Sequence, residues 1–333
     1  MNKEMYLNPK ELKSFRIKQI IGRTFLYLFL TIMALYIFIP FYWMIISSLK
    51  ESWEITSPEL TLLPVNRAGR VLWPWDWQWS NYKNLIYGIK KVEGSIGTEW
   101  QFRPMHFHLM FRNTVFVGLL TTSGTIILTI LAAFAFSRLN FKGKDVIFSI
   151  FLMTMMIPGE IYVVGNYYTF SLLGWVRSAN IWKIFGTLTL PFVGSVFYTF
   201  FLRQTFRQIP NELYLAAKVD GTSDFKYLWK IMIPIASATI TTIIILSMIG
   251  VWNAFVWPSL VTNANFCEPG NYHLLVSNGL LEGLKTAMGS TEENSILNLQ
   301  MAGSAMVTVP LLIVFFLCKK YIMRGVSRSG IKG

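Results

Sequence analysis

The sequence predicts an all-α membrane protein that crosses the bilayer six times. Of its 333 residues, 53% are apolar and only 14% are charged, which is well below the charged share of a soluble domain. Several uncharged stretches reach the roughly 20 residues that a helix needs to cross a bilayer. The basic residues collect on alternate segments between those stretches, as the orientation of a polytopic protein requires.

Each apolar stretch is long enough for one spanning helix. The first could be confused with a secretory signal peptide, but its apolar region is too long and no small-x-small cleavage site follows it. We therefore interpret it as a retained anchor. The expected spans are about Thr24–Ser48, Phe111–Phe136, Val146–Gly165, Ile184–Phe206, Ile235–Trp257 and Ile296–Cys318.

Positive charge is concentrated on one set of segments, and the net charge is +13. Most basic residues fall before Thr24, between the second and third spans, in the stretch 203–230 and after Cys318, whereas the long loop 49–109 is nearly balanced in charge. The positive-inside rule places these segments in the cytoplasm, together with both termini. The charge excess is therefore a signal of topology, and we expect a lipid bilayer as partner and no nucleic acid.

The segments assigned to the outer face contain other unusual features. The run "WPWDWQWSNY" (73–82) favours an aromatic belt at the membrane interface over a surface that stacks sugars or docks a partner. Cys267 and Cys318 are expected at opposite membrane faces, too far apart for a disulfide. His106 and His108 have no further obvious ligands nearby, so no metal site is expected.

The cytoplasmic stretch "NELYLAAKVDGTSDFKYLWKIMIP" (211–234) has mixed polarity and lies between two apolar runs. It predicts two short helices joined by a tight turn. Asp220-Gly221 ends the first helix because glycine tolerates the left-handed backbone of such a turn, and Thr222 or Ser223 caps the second. The expected apolar faces are Leu213, Ala216 and Ala217 on the first helix, and Phe225, Leu228, Trp229 and Met232 on the second.

Composition alone leaves this stretch open between a docking knob for another protein and an interfacial helix without a partner. Its spacing is more specific: Pro210-x-Glu212-Leu213-x-x-Ala216-Ala217-x-x-Asp220-Gly221, then Ile231-x-Ile233-Pro234, resembles the EAA loop of ABC importer permeases. The runs "FLRQTFRQIPNEL", "MIPGEIYVVGNYY", "VWNAFVWPSL" and "RGVSRSGIKG" are similar to the carbohydrate branch of that family. They resemble in particular the subunit that pairs with a second permease in maltose-type importers.

The resemblance covers most of residues 24–333 and implies the type I fold of ABC importer permeases. It implies an inner-membrane protein of a bacterial or archaeal cell. The implied organisation is a cytoplasmic tail (1–23), a first transmembrane helix (24–48), an extracytoplasmic loop (49–109), a permease core (110–319) with a coupling loop at 207–233, and a cytoplasmic C-terminal tail (320–333).

The resemblance also implies partners. These are a second homologous permease, two copies of a cytoplasmic ABC ATPase, and an extracytoplasmic solute-binding protein. The chain has no G-x-x-x-x-G-K-[ST] segment to hold nucleotide phosphates. We therefore expect no catalytic residue and no cofactor on this chain, with ATP and Mg bound by the separate ATPase.

By this resemblance, the loop is the coupling helix that docks in a groove of the ATPase. The implied coupling residues are Glu212, Leu213, Leu215, Ala216, Ala217, Asp220 and Gly221. Leu215 stands where the family usually has the glutamate of Glu-Ala-Ala, which replaces an expected charged contact with an apolar one.

The resemblance points to a sugar or oligosaccharide as solute, while glycerol phosphate or a peptide stays open. A membrane enzyme or an ion-coupled carrier would need several polar groups within the spans. Glu160 is the only carboxylate there, and its place after Pro158-Gly159 favours a structural role over proton coupling. Aromatic and amide side chains suit sugars, so we expect the substrate path at Asn166, Tyr167, Trp252 and Asn253. Packing of Trp252 against the second permease is an equal alternative.

Overall fold

The structure is a computed structural model. The end of the expected C-terminal tail (328–333) and most of the acidic outer loop (263–274 and 281–296) lie outside the described residues. The chain divides into two compact units, residues 1–81 with 293–305 and residues 82–292 with 306–333. The structure describes the backbone of residues 9–90, 100–102, 105–262, 275–280 and 297–327.

The first unit is built around α1 (Pro9–Ser48), a helix of 40 residues. Between Ile17 and Ile39, most apolar side chains of α1 are exposed, which suits contact with lipid hydrocarbon. Beyond its end, Lys50 and Glu54 form a buried ion pair at 3.2 Å, and the short helix α2 (Ser52–Thr56) follows.

The second unit holds the remaining spans and the loop that resembles the EAA motif. Its outer segment also contains two short antiparallel strands. The elements are α3 (Ser80–Tyr87), β1 (Ile89–Lys90), β2 (Trp100–Phe102), α4 (Phe107–Arg138), α5 (Lys144–Met153), α6 (Gly159–Leu172), α7 (Ile181–Thr189), α8 (Val196–Gln208), α9 (Asn211–Val219), α10 (Asp224–Tyr227), α11 (Ile233–Ile235), α12 (Ser237–Trp252), α13 (Val256–Val261) and α14 (Leu297–Ser327); α3 begins in the first unit, and α14 begins in the first and ends in the second.

In the part of the chain that the structure describes, three helical segments have the length and composition of a membrane span: Ile17–Ser48, Phe107–Arg138 and Leu297–Tyr321. Three pairs of helical segments reach this length and composition only together, and each pair is bent, with α5 and α6 at 94°, α7 and α8 at 52°, and α10–α11 and α12 at 80°. Counting each pair as one span gives six. The predicted fold class, an all-α protein with six spans, is confirmed.

The bends have local causes in the sequence. Between α5 and α6, Ile157 is extended because it precedes Pro158, and a residue before proline avoids the helical conformation. Between α7 and α8, Ser195 leaves the helical region and its hydroxyl accepts a hydrogen bond from the Tyr198 amide, which starts a new helix. Both of these breaks lie within a stretch that is a single apolar run in the sequence.

Among the described residues, two buried clusters contribute to the core of the second unit. One joins α4 and α8 to the segment that follows the 220–223 turn, through Phe134, Phe206, Tyr227 and Met232 among others. The other gathers Val117, Phe185, Leu188, Trp257 and Leu275 among others. The first cluster supports the EAA-like loop, and the second lies beside a cavity described below.

Candidate functional site

The EAA-like loop folds as two helices at a tight turn. Helix α9 ends at Val219, and Gly221 has φ of +69°, a conformation that glycine adopts without strain. The Ser223 hydroxyl then accepts a hydrogen bond from the Lys226 amide and caps α10. The break and the second of the two expected caps therefore lie where the sequence places them.

Three side chains connect the two helices across this turn. The Tyr214 hydroxyl donates to Asp224 Oδ1 at 2.7 Å, and Lys218 Nζ lies 2.8 Å from the same oxygen. The hydrogen bond from Lys218, followed by that from Tyr214, lowers the pKa of Asp224 below its usual 3.8. The loop is thus an ordered unit whose turn is held by its own side chains.

The small-residue face expected on α9 is divided in the structure. Ala217 is buried against the core, whereas Leu213 and Ala216 are exposed. Glu212, Leu215, Asp220 and Gly221 are exposed as well. Tyr214, half-buried beside Ala217, takes the inward position because its ring packs at 5.1 Å on buried Tyr227.

The single apolar face expected after the turn is also wrong. Leu228 and Met232 are buried, but Phe225 and Trp229 are exposed, with their rings 6.1 Å apart. Residues 228–232 form a π-helical turn, which changes the angular spacing that α-helical periodicity assumes. Buried Tyr227 occupies part of the inward surface instead.

The loop therefore exposes several apolar side chains on different sides of its two helical segments, and we call these side chains together the docking face. Val219 is 88% exposed and Leu215 is 55% exposed, so the face presents apolar groups to whatever lies beside it. Its members are Leu213, Leu215, Val219, Phe225 and Trp229.

A second feature of this unit is a cavity of about 340 Å³ among α4, α7, α8, α12 and α13. It is near the lower end of the roughly 300–1,000 Å³ typical of ligand sites. Its described lining combines aromatic rings with hydroxyl groups and includes no charged side chain. The lining residues are Val117, Thr121, Thr125, Leu188, Phe192, Gly194, Ser195, Tyr198, Ser247, Gly250, Val251, Ala254, Trp257, Pro258 and Leu275.

The hydroxyl groups of this cavity differ in their hydrogen bonds. Thr125 donates to the Phe192 carbonyl at 3.2 Å, and Ser247 accepts from Thr122 at 3.0 Å. Thr121 is 3% exposed, and its hydroxyl has no hydrogen-bond partner among the described residues. A buried hydroxyl without a partner is costly, and Thr121 is one of the residues that line the cavity.

The four residues predicted for the substrate path do not line this cavity. The Trp252 indole donates to the Val307 carbonyl at 3.3 Å, and the Asn253 amide donates back to Ile249 at 3.1 Å. Tyr167 packs against the second core cluster, and Asn166 is half-buried on α6. These residues stay a prediction for another part of a path.

A stripe of hydroxyl groups on α4 is a signal of the cavity that is already present in the sequence. Thr121, Thr125 and Thr129 recur every four residues along α4, and all three are buried. Such spacing puts them on one side of the helix. A polar stripe inside a membrane span indicates a surface that packs on another helix or faces a solute. It is a better sequence signal for this cavity than the aromatic and amide residues predicted for the substrate path, because those residues do not line it.

The other candidate polar groups lie apart from both features. Glu160 is exposed in the first turn of α6, where a carboxylate is stabilised by the helix dipole, which supports its structural interpretation. The rings of His106 and His108 are 6.0 Å apart. Among the described residues, no group of three or more His, Cys, Asp or Glu side chains could hold a metal ion.

The fold and these two features define a polytopic helical membrane protein with a protruding helical loop and an uncharged cavity. The chain belongs to the family described as "Binding-protein-dependent transport system inner membrane component", which matches residues 125–328. It is therefore a transport component of the permease class.

Individual proteins agree with this family. The chain is 29% identical to a probable ABC transporter permease protein of Mycoplasma genitalium, over 99% of this chain and 95% of that protein. It is 26% identical to the sn-glycerol-3-phosphate transport system permease protein UgpE of Brucella abortus, over 94% and 97%. A solved bacterial ABC transporter involved in import of the acidic polysaccharide alginate has a similar fold, with a TM-score of 0.66, 21% identity and coverage of 92% and 97%.

Proposed function

We propose that this chain is the membrane subunit of an ATP-driven importer that carries an uncharged sugar or oligosaccharide into the cytoplasm. Membership of the permease family supports the transport role. The cavity supports a sugar as the solute, because its described lining offers hydroxyl groups and aromatic rings but no charged side chain.

The lack of charge in that lining favours a neutral solute. The UgpE proteins are named for glycerol phosphate, and the solved transporter imports acidic alginate. An anionic group placed among Thr121, Ser247 and Trp257 would lose its hydration without gaining a cation, at a cost of several kcal/mol. A sugar hydroxyl would instead meet the unpartnered hydroxyl of Thr121, and a sugar ring would meet aromatic surface.

The docking face supports a partner on the loop side. Five exposed apolar side chains on two short helices are better stabilised against another protein than in water. We assign that place to a separate ABC ATPase in two copies, which binds ATP and Mg, while this chain binds no cofactor of its own. The predicted coupling residues other than buried Ala217 are available at the surface of the loop.

Membership of the family supports the remaining parts of the proposed importer. A second permease completes the membrane part, and an extracytoplasmic solute-binding protein delivers the sugar. The loop and both termini lie in the cytoplasm, because the basic residues are concentrated there. The apolar surface of α1 faces lipid of the cell membrane.

The test is uptake by the complete complex in proteoliposomes, with ATP inside and the binding protein outside. Radiolabelled maltose, trehalose, sn-glycerol 3-phosphate, a tripeptide and an alginate oligosaccharide serve as probes. We expect ATP-dependent uptake of a neutral sugar that excess sn-glycerol 3-phosphate does not inhibit. Uptake of the phosphate, the peptide or the acidic saccharide without uptake of a neutral sugar would contradict the proposal.

A further inference from the structure

Arg138 ends α4 and contacts two other segments. Its Nη2 donates to the carbonyl oxygens of Phe206, at 2.9 Å, and of Ile209. Its Nη1 donates to Oδ1 of Asn211, the first residue of α9, at 3.1 Å. One guanidinium group therefore joins the end of a long span, the end of α8 and the start of the EAA-like loop.

Arg203 makes the reverse connection from α8. Its Nε donates to the Phe136 carbonyl at 3.0 Å, and its guanidinium lies 3.9 Å above the Phe148 ring. Carbonyl groups in the last turn of a helix have no partner within the helix, and arginine can satisfy them. Helices α4 and α8 thus cap each other's C-terminal turns with charge-assisted hydrogen bonds.

The two arginines differ in one respect. Arg203 contacts α4 and α5, including Asp145 at 3.8 Å, whereas Arg138 also reaches α9. The forked shape of a guanidinium allows Arg138 to hold the α8 carbonyls and Asn211 at once. A lysine donates from one nitrogen only, so it cannot reach the α8 carbonyls and Asn211 with the same geometry.

Helix α4 connects this junction to the cavity. It is continuous from Phe107 to Arg138 with no proline, and it carries the cavity residues Val117, Thr121 and Thr125. Between Thr121 and Arg138 the helix rises about 25 Å, at 1.5 Å per residue. A displacement applied at Arg138 is therefore carried along a rigid element to the cavity wall.

We propose that Arg138 is the positioning residue through which movement of α9 is transmitted to α4 and to the cavity. This inference rests on the proposed function, because it takes α9 as the helix that the ATPase moves. The bond to Asn211 supplies the connection to the loop, and the exchanged caps with α8 keep the end of α4 from moving independently.

The experiment measures cavity accessibility in the purified complete complex. A chain in which Cys267 and Cys318 are replaced by serine receives Thr121→Cys as a reporter on α4. Its alkylation rate by N-ethylmaleimide is compared with and without ATP and vanadate, alongside ATP hydrolysis and co-purification. The test variants are Arg138→Lys and Asn211→Ala. Arg203→Lys is the matched control, because it weakens the contact between the same two helices but keeps the hydrogen bond from Arg138 to Asn211.

We expect ATP and vanadate to change the alkylation rate of the reference chain at least about fivefold, the lower end of typical coupling between sites. In Arg138→Lys and Asn211→Ala the two rates become nearly equal, while ATP hydrolysis and co-purification persist. Arg203→Lys keeps the nucleotide-dependent change. Asn211→Ala leaves the α4–α8 caps intact and so tests the inference even where Arg138→Lys fails to assemble.

Two outcomes would overturn the inference alone. One is a full nucleotide-dependent change in both Arg138→Lys and Asn211→Ala. The other is an equal loss in Arg203→Lys and Arg138→Lys, which would assign the effect to packing of the helix pair. Failure of the proposed function looks different, because the reference chain itself would then show no response to nucleotide.

Discussion

Tyr214 and Asp224 meet across the turn of the EAA-like loop, where the tyrosine hydroxyl donates to the aspartate at 2.7 Å. The segment between them includes the left-handed Gly221. Lys218 binds the same carboxylate oxygen at 2.8 Å. The angle between α9 and α10 is therefore held by a phenol, an ammonium group and a carboxylate.

Asp224→Asn should loosen this turn at neutral pH. The pKa of Asp224 is below its usual value, so its contribution is complete above about pH 4 and is lost only as pH falls through the lowered pKa. The pKa of Lys218 is raised by the hydrogen bond to Asp224, so its contribution is lost only as pH rises through that raised pKa. The wild-type turn should thus be equally ordered from about pH 5 to 9.

Tryptic cleavage after Lys218 in the detergent-solubilised chain measures this order. Because the ion pair is exposed, we expect only about 1.5- to 5-fold faster cleavage in Asp224→Asn, with no trend between about pH 7 and 9. Asp220→Asn, which removes an exposed carboxylate from the same turn, is the control. Equal cleavage of all three chains would show that these side chains do not order the turn.

Gly221→Ala should impair coupling through backbone strain alone. A Cβ at Gly221 meets no atom within 4 Å, but its φ of +69° costs about 1–2 kcal/mol for a residue other than glycine. Gly221→Asn should be milder, because asparagine tolerates this conformation, and Gly221→Asp, which tolerates it as well, adds a like charge beside Asp220.

Sugar-stimulated ATP hydrolysis of the reconstituted complex reports this effect. Gly143→Ala is the matched control, because Gly143 has φ of +78° in a different turn and its Cβ would also be free of clashes. We expect stimulation to fall in the Gly221 variants and to stay near wild type in Gly143→Ala, with membrane insertion unchanged in both. Full stimulation in Gly221→Asp would argue against coupling through this loop.

The sequence predicts features of this fold that are encoded locally. The six apolar runs, the Gly221 turn and the Ser223 cap each depend on a few neighbouring residues, and all appear in the structure. The exposure of Phe225 and Trp229 could not be predicted, because it depends on a π-helical turn that packs Tyr227 against α4 and α8. The stripe of threonines on α4 indicates a polar surface, but the cavity beside it could not be predicted, because Thr121 and Trp257 line it together only after the spans bend and pack.

Leu215→Glu should weaken binding of the cognate ATPase. Leu215 is 55% exposed on the docking face, and full burial of a leucine against a partner contributes roughly 1.5–3 kcal/mol. A glutamate there would instead bring a carboxylate into an apolar groove, which costs several kcal/mol without a cation. The cognate ATPase should therefore present a neutral surface at this contact.

Co-purification with the ATPase distinguishes this contact from a general effect of charge. Asn140→Asp adds the same charge at an exposed position between α4 and α5, outside the coupling loop, so we expect it to bind as wild type does. Leu215→Glu should also pair better with a family ATPase that recognises the usual glutamate. If Leu215→Glu co-purified with its own ATPase as well as the wild-type chain does, the leucine at this position would have no role in binding the ATPase.

Thr121→Val should separate solute binding from stability. The change keeps the shape of the side chain and removes a buried hydroxyl that has no partner among the described residues, so thermal stability should stay equal or rise slightly. A sugar that uses this hydroxyl would lose one hydrogen bond worth about 0.5–1.5 kcal/mol, which corresponds to roughly 2- to 12-fold weaker apparent affinity. Thr129→Val is the matched control, because Thr129 is equally buried and unpartnered on the same helix but does not line the cavity. The measurement is the concentration dependence of sugar uptake, recorded beside thermal unfolding. A weaker apparent affinity in Thr121→Val alone supports the cavity as the solute site. Equal apparent affinities in the two variants would instead favour Asn166 and Asn253, whose alanine variants should then alter substrate preference.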